Sequence, residues 1–309
     1  MVSMGENMRL PKQEIRAEYK EIAGKIREDF SKGDIERDSG LTRPENVEWE
    51  DDISYGEHGE WNLLDVYYPK GTRGILPTIV SIHGGAWVYG TKEVYQYYGC
   101  SLAQHGFTVV NFNYRLAPEN PFPAAIEDIN QLFTWVAAHG KEHHIDAENL
   151  FAVGDSAGAQ FCAQYAAMLA NPEYAAKYDF KLPDIEFRAV ALNCGCYDME
   201  KRFNGKDRDK ALVYFCAEPE AFLPYIDTMS YLNEKFPPAF VMTAQHDFLK
   251  DDAKPMAEAL KRFGVETEYH LYGDKEHKEI AHVFHCNMKL PEAGKCNDDE
   301  CAFFRKHIK

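Results

Sequence analysis

Residues 150–170 run LFAVGDSAGAQFCAQYAAMLA, and the turn at their centre decides how the rest of the chain is read. The opening LFAV is apolar throughout, as a strand covered on both faces must be. The closing AQFCAQYAAMLA predicts a helix of small and apolar residues. Between them stands Gly154-Asp155-Ser156-Ala157-Gly158. So sharp a strand-to-helix turn pushes the serine hydroxyl out of the sheet edge. Side chains two positions to either side would collide, which requires glycine at both. The helix that follows aims its first amides at the space in front of Ser156, where negative charge is favoured.

Outward from this turn the same alternation repeats. Short β-rich runs occur at LLDVYYP (63–69), TIVSIH (78–83), TVVNFNY (108–114), AVALN (189–193), AFVMTA (239–244) and TEYHLYG (267–273). Helical stretches are expected near 92–105, 123–139, 156–170, 252–263 and 298–308. Strands alternating with helices predict an α/β fold with a mostly parallel, doubly wound sheet. Apolar positions at Ile15, Tyr19, Ile22 and Ile26 predict an amphipathic helix over 11–32, and the polar stretch 39–51 is expected to be a linker. The aromatic, irregular interval 196–236 is too long for an ordinary connection. We expect residues 1–50 to form an N-terminal helical cap segment and linker. Residues 51–309 would form one catalytic domain, with the inserted cap segment at about 196–236.

A serine hydroxyl becomes a nucleophile only with a base held by an acid. Asp247 follows the strand-like AFVMTA, and His282 lies beyond TEYHLYG; both fall at carboxyl ends of strands, where a doubly wound sheet gathers its functional groups. Asp251 is the reserve for the acid. His277 is second for the base, because it sits among lysine and glutamate whereas His282 is flanked by Ala281, Val283 and Phe284. Upstream, His83-Gly84-Gly85-Ala86-Trp87 follows TIVSI, and its small residues let main-chain amides approach a carbonyl oxygen.

The order of three motifs, His-Gly-Gly-Ala-Trp, Tyr114-Arg115-Leu116-Ala117-Pro118-Glu119 and Gly-Asp-Ser-Ala-Gly, resembles the hormone-sensitive-lipase-like family of carboxylesterases with the α/β-hydrolase fold. The likeness runs from about residue 63 to 290. It implies Ser156 as nucleophile, Asp247 as acid, His282 as base, and an oxyanion hole at Gly84, Gly85, Ala86 and Ala157, with Gly84 as its turn residue. It also implies a small helical cap, partly N-terminal. Three positions depart from the family pattern: Ala86 replaces a third glycine, Ala159 stands where another glycine is common, and Phe248 follows Asp247 where proline is usual. Arg115 and Glu119 are read as structural, an ion pair or backbone clamp fixing the oxyanion loop.

Composition narrows the partners. With 309 residues, 45% of them hydrophobic, the chain can bury a sizeable core. Its 34 basic against 50 acidic residues give a net charge of −16, which repels nucleic-acid backbones and anionic membrane surfaces. No stretch approaches the roughly 18 continuous apolar residues of a membrane helix, and charges interrupt the N-terminus too early for a secretory run. A cytoplasmic location is expected, with the eight cysteines as buried free thiols. Cys286, Cys296 and Cys301 beside His285 match no common zinc spacing, and no metal or organic cofactor is expected. The expected partner is a small acyl ester with a short acyl group such as acetyl; a homodimer is compatible with the family. Trp87, Tyr89, Asp155 and Tyr197 are the candidate substrate-binding residues. The aromatics Phe203, Tyr214, Phe215, Phe222 and Tyr225 either line the pocket or glue the cap to the body. The same triad would also serve a carbohydrate-ester deacetylase, an arylformamidase or amidase, or a peptidase. A non-catalytic binding relative is disfavoured, since every triad position has a candidate.

Overall fold

The apolar runs assemble into one eight-stranded sheet in a computed structural model that describes residues 10–309. The reading of the first residues as lacking a secretory run, and the start of the expected N-terminal segment, lie outside the described residues. In chain order the strands are β1 (Val47–Ser54), β2 (Leu63–Pro69), β3 (Leu76–Ile82), β4 (Thr108–Phe112), β5 (Ile145–Asp155), β6 (Phe187–Asn193), β7 (Ala239–Ala244) and β8 (Thr267–Tyr272). They lie in the order β1-β2-β4-β3-β5-β6-β7-β8. The two pairings that involve β2 are antiparallel and the rest are parallel. β4 and β7 are buried along their whole length, which is why their sequences do not alternate.

Helices cover both faces. α2 (Gln96–Gln104) and α10 (Pro291–Arg305) pack on one side, in a core with Phe107, Phe151, Phe240 and Phe304. On the other side lie α3 (Ala124–His139), α4 (Ala157–Ala170) and α9 (Lys250–Arg262), sharing the larger core with α1 (Ala17–Asp38). The alanine-rich α4 is buried at all but one of its positions, so the elbow helix is held from every side. Residues 171–236 add the single-turn α5 (Pro172–Ala175), then α6 (Met199–Phe203), α7 (Arg208–Phe215) and α8 (Leu223–Ile226). Among the described residues no helix is long and apolar enough to cross a membrane.

Several boundaries differ from the sequence reading. Part of the stretch expected to be a linker is strand: Val47 to Ser54 pairs with β2, with a bulge between Glu50 and Ile53. An edge strand needs only one apolar face, and the acids of VEWEDDIS keep the outer edge charged against pairing with other chains. α1 starts at Ala17 rather than before Ile15, which is exposed, and buries Tyr19 and Ala23. α10 begins at Pro291, well before 298, because Pro291 suits a first helical turn whose polar residues hide the pattern.

The residues expected to cap the site make direct contacts with the body. Gln13 Nε2 donates to the carbonyls of Phe122 at 2.7 Å and Phe215 at 2.9 Å. Arg202 bridges Asp252 at 2.9 Å and Asp207 at 3.2 Å. Phe203, Tyr214, Phe215 and Phe222 are fully buried; Phe215 stacks on Phe222 with ring centroids 4.4 Å apart. Tyr214, Phe215, Phe222 and the half-buried Tyr225 meet Phe122 of the body, and none of the five aromatics lies on the wall of the cavity above Ser156, so they glue the segment to the body.

Candidate active site

Ser156 occupies the step between β5 and α4, with φ 53° and ψ −116°. A serine pays steric energy for that left-handed backbone, and the surroundings enforce it. Its N–H donates to the carbonyl of Asn193 at the end of β6 (2.9 Å). A Cβ on Gly154 would lie 2.2 Å from the carbonyl oxygen of Gly158, and one on Gly158 2.0 Å from that of Ile82. Neither glycine can be replaced without moving main chain.

The loop after β8 carries His282 to the serine. Its Nε2 lies 3.0 Å from Ser156 Oγ, and its Nδ1 lies 2.7 Å from Asp247 Oδ1. Asp247, just past β7, also accepts from the Thr243 hydroxyl and the Leu249 N–H, each at 2.8 Å. Burial disfavours its charge, but the His282 contact and these two donors outweigh that and hold its pKa below the ordinary carboxylate range. The reserves lie elsewhere: His277 is exposed and bonded to Asp274 at 2.9 Å, and Asp251 is exposed in the first turn of α9.

Facing the serine, the loop after β3 turns back on itself. Gly85, Ala86 and Trp87 have φ of 123°, 51° and 64°. Ala86 thus adopts the backbone angle that the absent glycine would take freely, at a cost of about 1–2 kcal/mol. The amides of Gly85, Ala86 and Ala157 border the cavity beside Ser156 and engage no acceptor among the described residues. Gly84 differs. Its N–H is directed at Asp155 Oδ1 (3.2 Å) and the Tyr95 hydroxyl oxygen (3.1 Å), so it anchors the loop and is not presented to a ligand. The motif histidine, His83, is fully buried and stacked on Tyr114 at 4.1 Å; burial pushes its pKa down to about 4, against the pull of its contact with the Gly84 carbonyl.

A cavity of about 300 Å³ opens above Ser156. Trp87 and Tyr89 lie on its wall. Trp87 Nε1 donates to Gln160 Oε1 at 3.1 Å and its ring stacks on Tyr214; the Tyr89 hydroxyl donates to Asp34 on α1 at 2.8 Å. Two other expectations need correction. Asp155 borders the cavity, but its carboxylate is turned inward to the Tyr95 hydroxyl (2.8 Å) and Gly84, so it holds the loop instead of a substrate. Burial raises its pKa to about 6, with Tyr95, His282 and the Gly84 N–H opposing. Tyr197 is buried behind the elbow, its hydroxyl packed against Gly195; the preceding residue, Cys196, reaches the cavity in its place.

Arg115 and Glu119 do not pair with each other. Arg115 binds Asp128 at 2.8 Å, while Glu119 binds Arg27 of α1 at 2.6 Å. Arg27 is the clamp: its guanidinium also donates to the carbonyls of Val88 (2.8 Å) and Ala117 (2.9 Å), tying α1 to the loops after β3 and β4. The sequence carried one hint of it, a cation four residues beyond Ala23 and eight beyond Tyr19, on the stripe that α1 buries. Phe248 was also missed. It lies exposed at the cavity mouth, its ring 4.2 Å from that of His282.

Comparison with known proteins agrees with this geometry. The family model for the α/β-hydrolase fold matches residues 79–281. The chain belongs to the α/β-hydrolase family, in its hormone-sensitive-lipase-like branch. It is 30% identical over 233 residues to the versiconal hemiacetal acetate esterase of Dothistroma septosporum, spanning 69% of each chain. It is also 30% identical over 219 residues to the carboxylesterase NlhH of Mycobacterium tuberculosis, spanning 66% of each. Esterase B of Lactobacillus rhamnosis shares the fold with a TM-score of 0.86 at 22% identity, over 95% of this chain and 96% of the other. Membership in this branch places the chain among the carboxylic ester hydrolases.

Proposed function

We propose that the protein is a serine carboxylesterase that hydrolyses short-chain acyl esters, acetyl esters among them, through an acyl-enzyme. The observation that carries this reading is the pair of contacts at His282, 3.0 Å to Ser156 Oγ and 2.7 Å to Asp247. The imidazole takes the serine proton at Nε2 as Oγ attacks the ester carbonyl. Asp247 fixes the tautomer with the proton on Nδ1 and stabilises the imidazolium that forms. The carbonyl oxygen gains negative charge beside the amides of Gly85, Ala86 and Ala157 and the N-terminus of α4. His282 then protonates the departing alcohol, and a water molecule repeats the sequence on the acyl-enzyme.

The size of the cavity supports the short acyl group. A space of about 300 Å³ walled by Trp87, Cys196, Leu249 and Phe248 accommodates a few carbons on each side of the ester. The relative from Dothistroma septosporum is named for an acetate ester. Two measurements test the reading. Ser156→Ala should abolish ester hydrolysis and labelling by an organophosphate while retaining the fold; full activity in that variant refutes the mechanism. A series of acyl esters should peak at short chains; a peak beyond about ten carbons refutes the acyl-group assignment. Parallel assays with anilides and acetylated sugars decide the leaving group.

A further inference from the structure

Behind His282 and Asp247 lies a third group that ester hydrolysis does not use. Cys194 stands at the carboxyl end of β6, with its backbone in the left-handed region (φ 48°) and its N–H bonded to the Met242 carbonyl at 2.8 Å. The thiol is fully buried, and its Sγ has the Met242 sulfur 3.9 Å away. Cys194 Sγ, a carboxylate oxygen of Asp247 and an imidazole nitrogen of His282 all lie within 4.8 Å of one another. Cys194 and Asp247 follow the ends of the neighbouring strands β6 and β7, and His282 comes from the loop after β8, next to Ala281, which bridges to His246.

We propose that Cys194, Asp247 and His282 form a Zn²⁺ site whose occupation switches off ester hydrolysis. Thiolate, imidazole and carboxylate are the donors that zinc combines in proteins. Bonds of roughly 2.0–2.3 Å around a tetrahedral ion place its ligands roughly 3.5 Å apart, so the longer edges of the triangle close by ~1 Å and the 2.7 Å contact between Nδ1 and Asp247 opens by somewhat less. The ion replaces the proton between Nδ1 and Asp247. The Cys194 thiol releases its proton to solvent, and the imidazole proton moves from Nδ1 to Nε2. An Nε2 that carries hydrogen cannot accept the proton of Ser156, so the nucleophile is no longer activated.

The inhibitory half of this proposal rests on His282 being the base; the site itself does not. The experiment therefore has two readouts, in buffer free of thiols and chelators. Zn²⁺ titrated into the hydrolysis of a short ester should inhibit the native protein reversibly. Cys194→Ser and Cys194→Ala should hydrolyse the ester yet need at least about tenfold more Zn²⁺ for half-inhibition. Co²⁺ added to the native protein should give a sulfur-to-cobalt charge-transfer band that both Cys194 variants lose. Cys286→Ser should keep the band, although Cys286 Sγ lies 3.5 Å from His285 Nε2. The proposal is overturned if Zn²⁺ leaves the native protein active or inhibits the Cys194 variants equally. It is equally overturned if the band survives in those variants or disappears with Cys286→Ser. Were the protein to hydrolyse no ester at all, the cobalt band would still report on the site.

Discussion

The floor and the rim of the cavity are built in different ways. The floor, from Ser156 to the loop at 83–87, is main chain under strain: a serine at φ 53°, an alanine and a tryptophan in the left-handed region, and glycines with no room for a Cβ. The rim, from α1, α7 and the turn at Phe248, is made of side chains that meet across sequence, as Tyr89 meets Asp34, and α1 is tied down beside it by Arg27 with Glu119. Main chain can hold a donor in only one place, which suits the stabilisation of a charge that forms in one place. Side chains can be exchanged one at a time, which suits the selection of substrates. Change at the floor should therefore affect the rate steeply, and change at the rim should affect binding and stability in smaller steps.

The sharpest way to break this contrast lies at Asp247. Asp247→Asn keeps the shape of the site but reverses the hydrogen-bonding demand on His282, leaving the wrong nitrogen protonated. Turnover of a short ester should fall by roughly 10⁴-fold, with thermal stability nearly unchanged. A fall below tenfold would mean that His282 does not depend on Asp247 for its tautomer.

Next in size is an effect under the floor. Glu300 on α10 is fully buried, accepting from Asn193 Nδ2 at 2.6 Å and the Tyr98 hydroxyl at 2.8 Å, and Asn193 is the residue whose carbonyl holds the Ser156 N–H. Burial raises the Glu300 pKa to about 7, with those two donors opposing. For an acid whose folded pKa is raised, the contribution to stability is full below the unfolded value and is lost as pH rises through the folded one. The native protein should therefore lose stability relative to Glu300→Gln between about pH 4 and 8, by on the order of 2–3 kcal/mol. Denaturant melts of both proteins across that range measure it, and parallel curves would show that Glu300 titrates alike in the folded and unfolded chain.

The same contrast explains what could be read beforehand. The floor is local in sequence: strand, turn and helix lie within residues 150–170, and the loop at 83–87 within five residues. The glycines there are excluded from any other identity by contact with main chain, so their spacing carries the geometry. The buried strands were equally legible, because burial on both faces leaves a continuous apolar run. The edge strand Val47–Ser54 was not, since its exposed acids resemble a linker. Asp155 and Tyr197 were misplaced for a related reason: neighbouring residues on an irregular stretch point opposite ways, and only packing decides which one faces the cavity. Arg27 and Glu119 are 92 residues apart, and no local pattern records their pairing.

Arg27 tests whether the rim depends on the floor. Arg27→Ala removes bonds to two carbonyls and one carboxylate, and leaves those carbonyls to find water. The partly exposed ion pair contributes little by itself, so the expected loss is about 1–2 kcal/mol, mainly from the carbonyl contacts. KM should rise several-fold through a loosened α1, with kcat changed less. An equal fall in kcat would mean that α1 helps to shape the loop at 83–87, and the division between floor and rim would have to move.

The smallest effect is expected at Phe248, where a proline is usual in the family. Its ring lies 4.2 Å from His282 but is 62% exposed, and Lys210 Nζ sits 5.8 Å above it. An exposed ring removes little surface from water on folding, so Phe248→Ala should change stability by no more than about 0.5 kcal/mol. What the ring does is shield one face of the imidazole and narrow the mouth. Its loss should widen the range of acyl chains accepted and shift kcat/KM for the shortest esters by less than about fivefold, chiefly through KM. The pH profile of kcat/KM separates the two functions. A profile of unchanged shape assigns Phe248 to the rim, as a gate on size, whereas a displaced limb assigns it to the floor.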